Sequence, residues 1–203
     1  MDVIILGIDI HGIELAGRLA TVGGYNLLGF IAAGEERQDT FGGYPILGGP
    51  EALAKYPKAM HFPLHTWKRE GEFGKEQWTS FIDPLSIVAP GAKIGKGCII
   101  FQHCFIGADA KLEDGVFALG GTIINHHCII GERVVLTSNV SLAGSVQIGA
   151  RSYIGQASTV REFITIGSDC KIGMGAVVVK NVPDGTTVIG NPARVYNKEL
   201  RAT

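Results

Sequence analysis

IINHHCIIGERVVLTSNVSLAGSVQIGARSYIGQASTV (residues 123–160) decides the fold. Its aliphatic residues return at every sixth position: Ile124, Ile130, Leu136, Leu142, Ile148, Ile154 and Val160. Followed outward, the register runs from Ile82 to Val178 without an insertion, and only Ala118 lacks a larger aliphatic side chain. A helix of 3.6 residues per turn cannot keep one residue in six facing inward. A single flat strand would alternate every two residues and would be far too long. The chain must therefore turn at regular intervals. Four places after each aliphatic the residue is small or β-branched, as in Cys128, Val134, Val140, Val146, Ser152 and Ser158. One place after, it is often glycine: Gly95, Gly107, Gly131, Gly149, Gly155, Gly167 and Gly173. Each hexad reads as a short strand plus a corner, with one large and one small side chain inside. Glycine is expected there because a corner calls for an unusual backbone angle. Three hexads close a triangular coil, and coils stack about 4.8 Å apart. The expected fold is a left-handed parallel β-helix over residues 81–185, of nearly six coils and roughly 27 Å in height.

Composition agrees with a turn-dense repeat. Glycine accounts for 29 of 203 residues, without a collagen triplet. Hydrophobic residues make up 46% and charged residues 18%, enough to fill a core. A net charge of −1 argues against a nucleic-acid partner. No apolar run approaches the roughly 20 residues that cross a bilayer. MDVIILGIDIHGIEL lacks a basic start and a small-residue cleavage site, so no membrane contact and a cytoplasmic location are expected. All four cysteines (Cys98, Cys104, Cys128, Cys170) fall on the small inward position, and no CxxC occurs. They are expected to be reduced filler, with no metal and no disulfide frame.

Residues 1–80 follow another rule. VIILG (3–7) reads as a strand, HGIELAGRLATV (11–22) as a helix and NLLGFIAA (26–33) as a strand. YPILGG (44–49), a short helix from Pro50 to Lys55 and a strand near Ala59–Phe62 follow. This βαβ order implies a small Rossmann-like parallel sheet, expected to bind the acceptor. GIDIHG (7–12) is not GxGxxG, but a strand-to-helix turn can face a phosphate. Asp9, His11 and Gly12 are therefore the candidate acceptor-binding residues. Residues 186–203 close the coil with a turn and a tail.

The order of these parts resembles a known family. The residues that carry it are NHHCIIGE (125–132), IGQASTV (154–160), KIGMGAVVVKNVP (171–183) and IGNPAR (189–194), after the N-terminal α/β region. The chain resembles the hexapeptide-repeat sugar acetyltransferases, which include sialic acid O-acetyltransferases and the N-acetyltransferases of bacterial UDP-bacillosamine synthesis. The resemblance implies a homotrimer with active sites between neighbouring β-helices. It implies acetyl-CoA as donor and a sugar or nucleotide-sugar as acceptor. It also implies a histidine base, at His126. Four positions depart from the family's pattern. The acidic partner of the histidine is His127, and an aspartate pair after the second strand is Ala32-Ala33. An Ile-Gly-Asn-type turn before the repeat is replaced by HFPLHTWK (61–68), and a later histidine is Val135.

Acyl transfer from a thioester needs a base, a donor for the developing oxyanion and alignment of both substrates. Histidine suits the first, since its ordinary pKa of about 6.5 lies near working pH. With 18 residues per coil, Gly144 stacks above His126 and can offer its N–H to the thioester oxygen. Asp109 stacks beneath His127 and can replace the missing acid. Gly155 and Gly173 offer close approach for the coenzyme arm, and Gly190, Asn191, Pro192 and Ala193 the adenine end. His103 is expected at a surface or subunit contact, and His61 and His65 in structural or exposed places. The favoured acceptor is the amino group of a nucleotide-linked amino sugar; sugar O-acetylation is the alternative. Two remoter readings are a zinc lyase of the γ-carbonic-anhydrase type and a non-catalytic trimer. The first needs three convergent imidazoles, and adjacent His126 and His127 diverge.

Overall fold

The computed structural model describes residues 1–32, 34, 39–66 and 75–196. Ala33, Trp67, Lys68 and the end of the tail (197–203) lie outside the described residues.

The N-terminal region contains β1 (Asp2–Leu6), α1 (Ile10–Val22), β2 (Asn26–Ile31), β3 (Thr40–Phe41), β4 (Tyr44–Gly48), a 3-10 helix (Pro50–Lys55) and β5 (Met60–Pro63). The sheet order is β3-β4-β2-β1-β5, parallel except for the β3–β4 hairpin. That hairpin was not expected from the sequence; Gly42 and Gly43 make its turn with positive φ. Among the described residues α1 is the only α-helix. Among the described residues the βαβ order is present, with one α-helix on the sheet.

From Phe81 onward the chain winds as a parallel β-helix with three faces. The first face runs from Phe81–Ile82 through Ile99–Ile100, Phe117–Ala118, Val135–Leu136, Tyr153–Ile154 and Lys171–Ile172 to Thr187–Ile189. Antiparallel Arg194–Val195 closes it. The second face runs from Ile87–Val88 to Val177–Val178, and the third from Lys93–Ile94 to Thr165–Ile166. Pairing joins residues 18 apart, as Ile124 with Leu142 and Ile130 with Ile148. The aliphatic column is buried from Ile100 to Val178, while Ile82, Val88 and Ile94 line the open lower end.

The corners correct one expectation. Positive φ falls three places after the aliphatic, where His103, Asp109, His127, Asn139 and Ser145 lie between 56° and 60°. The glycines one place after serve close approach instead. A Cβ on Gly107 would stand 2.5 Å from the His126 nitrogen, and one on Gly131 2.7 Å from that of Ala150. Coil stacking, rather than backbone angle, demands those glycines.

Several of the small inward residues share one bond, placing a hydroxyl or thiol against the carbonyl 15 residues on: Ser152 Oγ to Gly167 at 2.7 Å and Cys128 Sγ to Ala143 at 3.2 Å. Cys98 and Cys104 repeat it toward Glu113 and Leu119. Burial pushes the Cys98 thiol up to about 11, so it stays protonated and able to donate.

The N-terminal sheet docks on the lower first face. Val3, Ile5, Leu15, Ala16 and Leu19 share one core with Phe81, Ile99, Phe101 and Phe117. Arg18 of α1 grips the fully buried Asp83 with two hydrogen bonds, Nε to Oδ2 at 2.6 Å and Nη2 to Oδ1 at 2.9 Å. Burial pushes the Asp83 carboxyl up, but these bonds, the Leu85 N–H and the Arg18 charge outweigh it and hold the pKa below the usual value.

Candidate active site

Two groups of residues stand out, and they lie on different sides of the coil. The first is at the corner between the second and third faces. His126 is exposed there, and its ring packs against Gly144 one coil above. A Cβ on Gly144 would stand 2.5 Å from His126 Cε1 and 2.8 Å from Nε2. Only a glycine leaves room for the ring. The Gly144 N–H donates to no other group among the described residues. His126 Nδ1 lies 3.0 Å from His127 Nδ1, with the rings nearly perpendicular. His127 Nε2 in turn lies 3.9 Å from Asp109 Oδ2, one coil below.

Tautomers follow from this line of atoms. If His126 is to accept a proton at Nε2, its Nδ1 must carry hydrogen and donate to His127 Nδ1. His127 must then carry its hydrogen on Nε2, which faces Asp109. The order Asp109, His127, His126 is self-consistent and ends on an unprotonated Nε2 at the surface. No cysteine points outward here to act as a nucleophile: all four are buried.

The second group lies where the N-terminal sheet meets the coil, at the first face and its corner with the second. Two hollows of about 760 and 490 Å³ share His11, Leu119 and Ser138. The larger lies under α1, with Glu14 and Arg18 opposite Gln102, His103 and Asn139. The smaller climbs the bare upper rungs past Phe117, Val135, Tyr153, Gly155, Lys171 and Gly173. At the turn between β1 and α1, Asp9 caps the helix: Oδ1 accepts the Gly12 N–H at 3.1 Å and Oδ2 the Thr66 hydroxyl at 2.7 Å. His11 Nδ1 and His65 Nδ1 flank this carboxylate at 3.8 and 4.0 Å, both buried and without a hydrogen bond. Burial lowers the pKa of His65 despite the nearby Asp9 charge, and the charges of His11 and Arg133 lower it further.

Several expectations change. His126, His127, Asp109 and Gly144 do stand together. Gly155 and Gly173 sit on the corner between the first and second faces, so they do not pave a path to His126 within one chain. The Gly190–Ala193 turn hydrogen-bonds to Val177 at the top of the second face, between the two corners, and Asn191–Pro192 is cis. Gly12 faces inward, where a Cβ would meet Phe30 at 2.8 Å and Leu64 at 3.0 Å; it packs helix on sheet and offers a ligand no surface. His103 lines the larger hollow instead of a bare surface, and His65 sits beside Asp9. The signal for His65 was weak, because it lies in a segment with no periodicity of its own.

No protein-family model matches the chain, and no curated protein matches it by sequence. Solved structures do match. Perosamine N-acetyltransferase PerB from Caulobacter crescentus, in complex with CoA and GDP-perosamine, superposes with a TM-score of 0.87 at 25% identity, covering 97% of this chain and 98% of its own. The acetyltransferase domain of PglB from Neisseria gonorrhoeae, in complex with acetyl coenzyme A, gives 0.83 at 25%, covering 96% and 98%. The structural neighbours are hexapeptide-repeat sugar N-acetyltransferases. WeeI from Acinetobacter baumannii shares the fold at 22% identity and a TM-score of 0.68, covering 97% and 100%. The family likeness drawn from the hexads and the terminal turn thus extends over nearly the whole chain. No helix among the described residues is long and apolar enough to cross a membrane.

Proposed function

We propose that this chain transfers the acetyl group of acetyl-CoA to the amino group of a sugar, with His126 as general base. The observation that carries the reading is the His126 ring seated on Gly144, with Nδ1 against His127 and Nε2 at the surface. In the reaction, Nε2 takes a proton from the attacking amine. The amine nitrogen bonds to the thioester carbonyl carbon, and the Gly144 N–H stabilises the oxygen that gains charge. Collapse breaks the carbon–sulfur bond, and the departing thiolate takes the proton from the imidazolium. His127 orients the ring and Asp109 favours its charged form. PerB is found in complex with CoA and GDP-perosamine, which favours a nucleotide-linked amino sugar as the acceptor here.

The active site is composed from two subunits of a homotrimer of left-handed coils. Residues 81–185 form the catalytic coil, residues 1–80 supply the acceptor-binding part, and the turn after residue 186 closes the top. Within one protomer the His126 corner lies across the coil from the hollows, so a neighbour must bring the two together. Outward Ile123 and Ile129 flank that corner and are 41% and 44% exposed, while Phe163, one coil above Ser145, is 76% exposed. Apolar side chains of this kind favour burial against a second copy. Adenine at Gly190–Ala193, with the arm passing Gly155 and Gly173 of one subunit, then reaches His126 of the next.

Co-expression tests this. Chains carrying His126→Ala are mixed with chains carrying Ser138→Trp, which fills the point where the hollows join. Acetylation of amino sugars by acetyl-CoA should recover to about a quarter of the parent rate, since random assembly pairs intact halves that often. No recovery would put the site within one chain. No acetyl-CoA turnover by the parent with any amino sugar would remove the function itself.

A further inference from the structure

Asn125 precedes His126 and leans toward the same coil. Its backbone N–H and its side-chain Nδ2 both donate to Leu142 O, one coil above, at 3.1 and 2.7 Å. The His126 ring packs on Gly144 of that coil, and in sequence only Ala143, with its single methyl group, separates the two seats. A carbonyl oxygen accepts and never donates, so the amide nitrogen must be the end turned to Leu142. The other end is then Oδ1. It accepts no hydrogen bond among the described residues, and it is not one of the atoms shut away from solvent. Anchoring alone does not call for an amide. Thr137 holds the equivalent place two hexads on, and its backbone N–H and hydroxyl donate to Ile154 O at 3.0 and 2.8 Å. Thr137 uses its whole side chain in that bond. Asn125 makes the bond and keeps an acceptor beside the base.

We propose that Asn125 is a specificity-determining residue of the acetyl transfer: its Oδ1 accepts the second hydrogen of the attacking amine and so selects nitrogen over oxygen. The inference rests on the acetyltransferase reading and deepens it. An amine that attacks a carbonyl points its lone pair at the carbon and has two N–H bonds left. One lies on His126 Nε2, which takes that proton. The other needs an acceptor of its own, or it sits unpaired in a site closed by both substrates. A hydroxyl has a single O–H, gives it to His126 and leaves Oδ1 without a partner. A fixed polar group left unpaired is what lets a site reject an analogue that lacks the matching donor. As the carbon–nitrogen bond forms, the nitrogen gains positive charge and its remaining N–H becomes a stronger donor. Asn125 takes no proton in the step; it holds the nitrogen while His126 removes one.

Asn125→Thr is the discriminating change, because Thr137 shows that threonine makes the anchoring bond in this fold while Oδ1 is lost. The acceptors are GDP-perosamine, the sugar nucleotide found with PerB, or the amino sugar that the parent acetylates fastest, and the N-methyl derivative of the same sugar. A primary amine has two N–H bonds to place and an N-methyl amine has one. In Asn125→Thr, kcat/KM for the primary amine should fall by about 10- to 100-fold, and for the N-methyl amine by about twofold or less. Acetyl-CoA affinity and the thermal midpoint should be those of the parent. A variant that slowed because His126 had shifted would lose equally on both acceptors, and that result overturns the proposal. So does a variant with the parent's rates. Asn125→Asp makes the opposite change: it keeps an acceptor oxygen and removes the anchor. It should retain the preference for the primary amine that Asn125→Thr loses, and the reverse order would make Asn125 an anchor and nothing more. A parent that acetylates no amino sugar removes the acetyltransferase reading and this one with it, whereas an active parent with equal losses on both acceptors removes only this one.

Discussion

The His126 corner and the hollow beneath α1 follow opposite plans. At the corner the chemistry is exposed: His126 and His127 lie on the surface, and their partners come from the coils directly above and below. In the hollow the polar side chains come from elements far apart in sequence: His11, Glu14 and Arg18 from α1, and Gln102, His103 and Asn139 from the coil. The corner positions its groups by repetition, the hollow by the docking of two different folds. A reacting histidine on an open corner has no walls of its own, and the hollow has walls on two sides. Each half supplies what the other lacks.

The comparison can be broken most directly at the corner. His126→Ala should lower turnover by roughly 10²–10⁴ with acetyl-CoA affinity nearly unchanged. Steady-state kinetics paired with a coenzyme titration read this, and a near-normal rate would take the base role away. Gly144→Ala should come next, at roughly 10² in turnover, because the new methyl would displace the ring by about an ångström. An unaltered circular dichroism spectrum with a reduced rate is the expected pair of results. If the rate is unaltered, the ring's seat on Gly144 is incidental.

Asp109→Asn is a finer probe. Turnover should fall by roughly tenfold, with a smaller effect on the midpoint of the pH–rate profile, since a neutral amide can still orient His127. If rate and profile are both those of the parent, Asp109 only shapes its corner turn. The smallest effect belongs to the docked side. Burial lowers the pKa values of His61 and His65 in the folded chain. Below the ordinary histidine value of about 6.5 the unfolded chain binds protons that the folded chain does not, so stability should fall as pH drops from about 6.5 and be complete above it. Denaturant midpoints across that range check the sign. His61→Gln should reduce the slope, and a slope unaffected by it would place the proton uptake elsewhere.

The coil was legible from residue types alone because one rule repeats: Ile124, Leu142 and Val160 each occupy the same place one coil apart. That rule also put Gly144 over His126 and Asp109 beneath His127. What it left unread was whatever depends on geometry between unlike parts. The glycines after each aliphatic suggested an unusual backbone angle, and only stacked coils reveal that a Cβ there would strike the next turn. Gly155 and Gly173 carried the right residue type but the wrong corner for a path to His126 in the same chain. His65 lay in a stretch without periodicity, and its place beside Asp9 follows from the docking of β5 next to β1. The β3–β4 hairpin escaped because strands of two residues leave too short a pattern to read.

The corner residues with positive φ have a practical consequence. Because histidine, aspartate, asparagine and serine occupy that position as well as glycine, the backbone there accepts many side chains. A group moved eighteen places along the sequence is carried about 4.8 Å along the axis and scarcely turned. The corner works as a ruled edge on which chemical groups can be set at fixed intervals, and relocating an activity along it is a matter of counting residues.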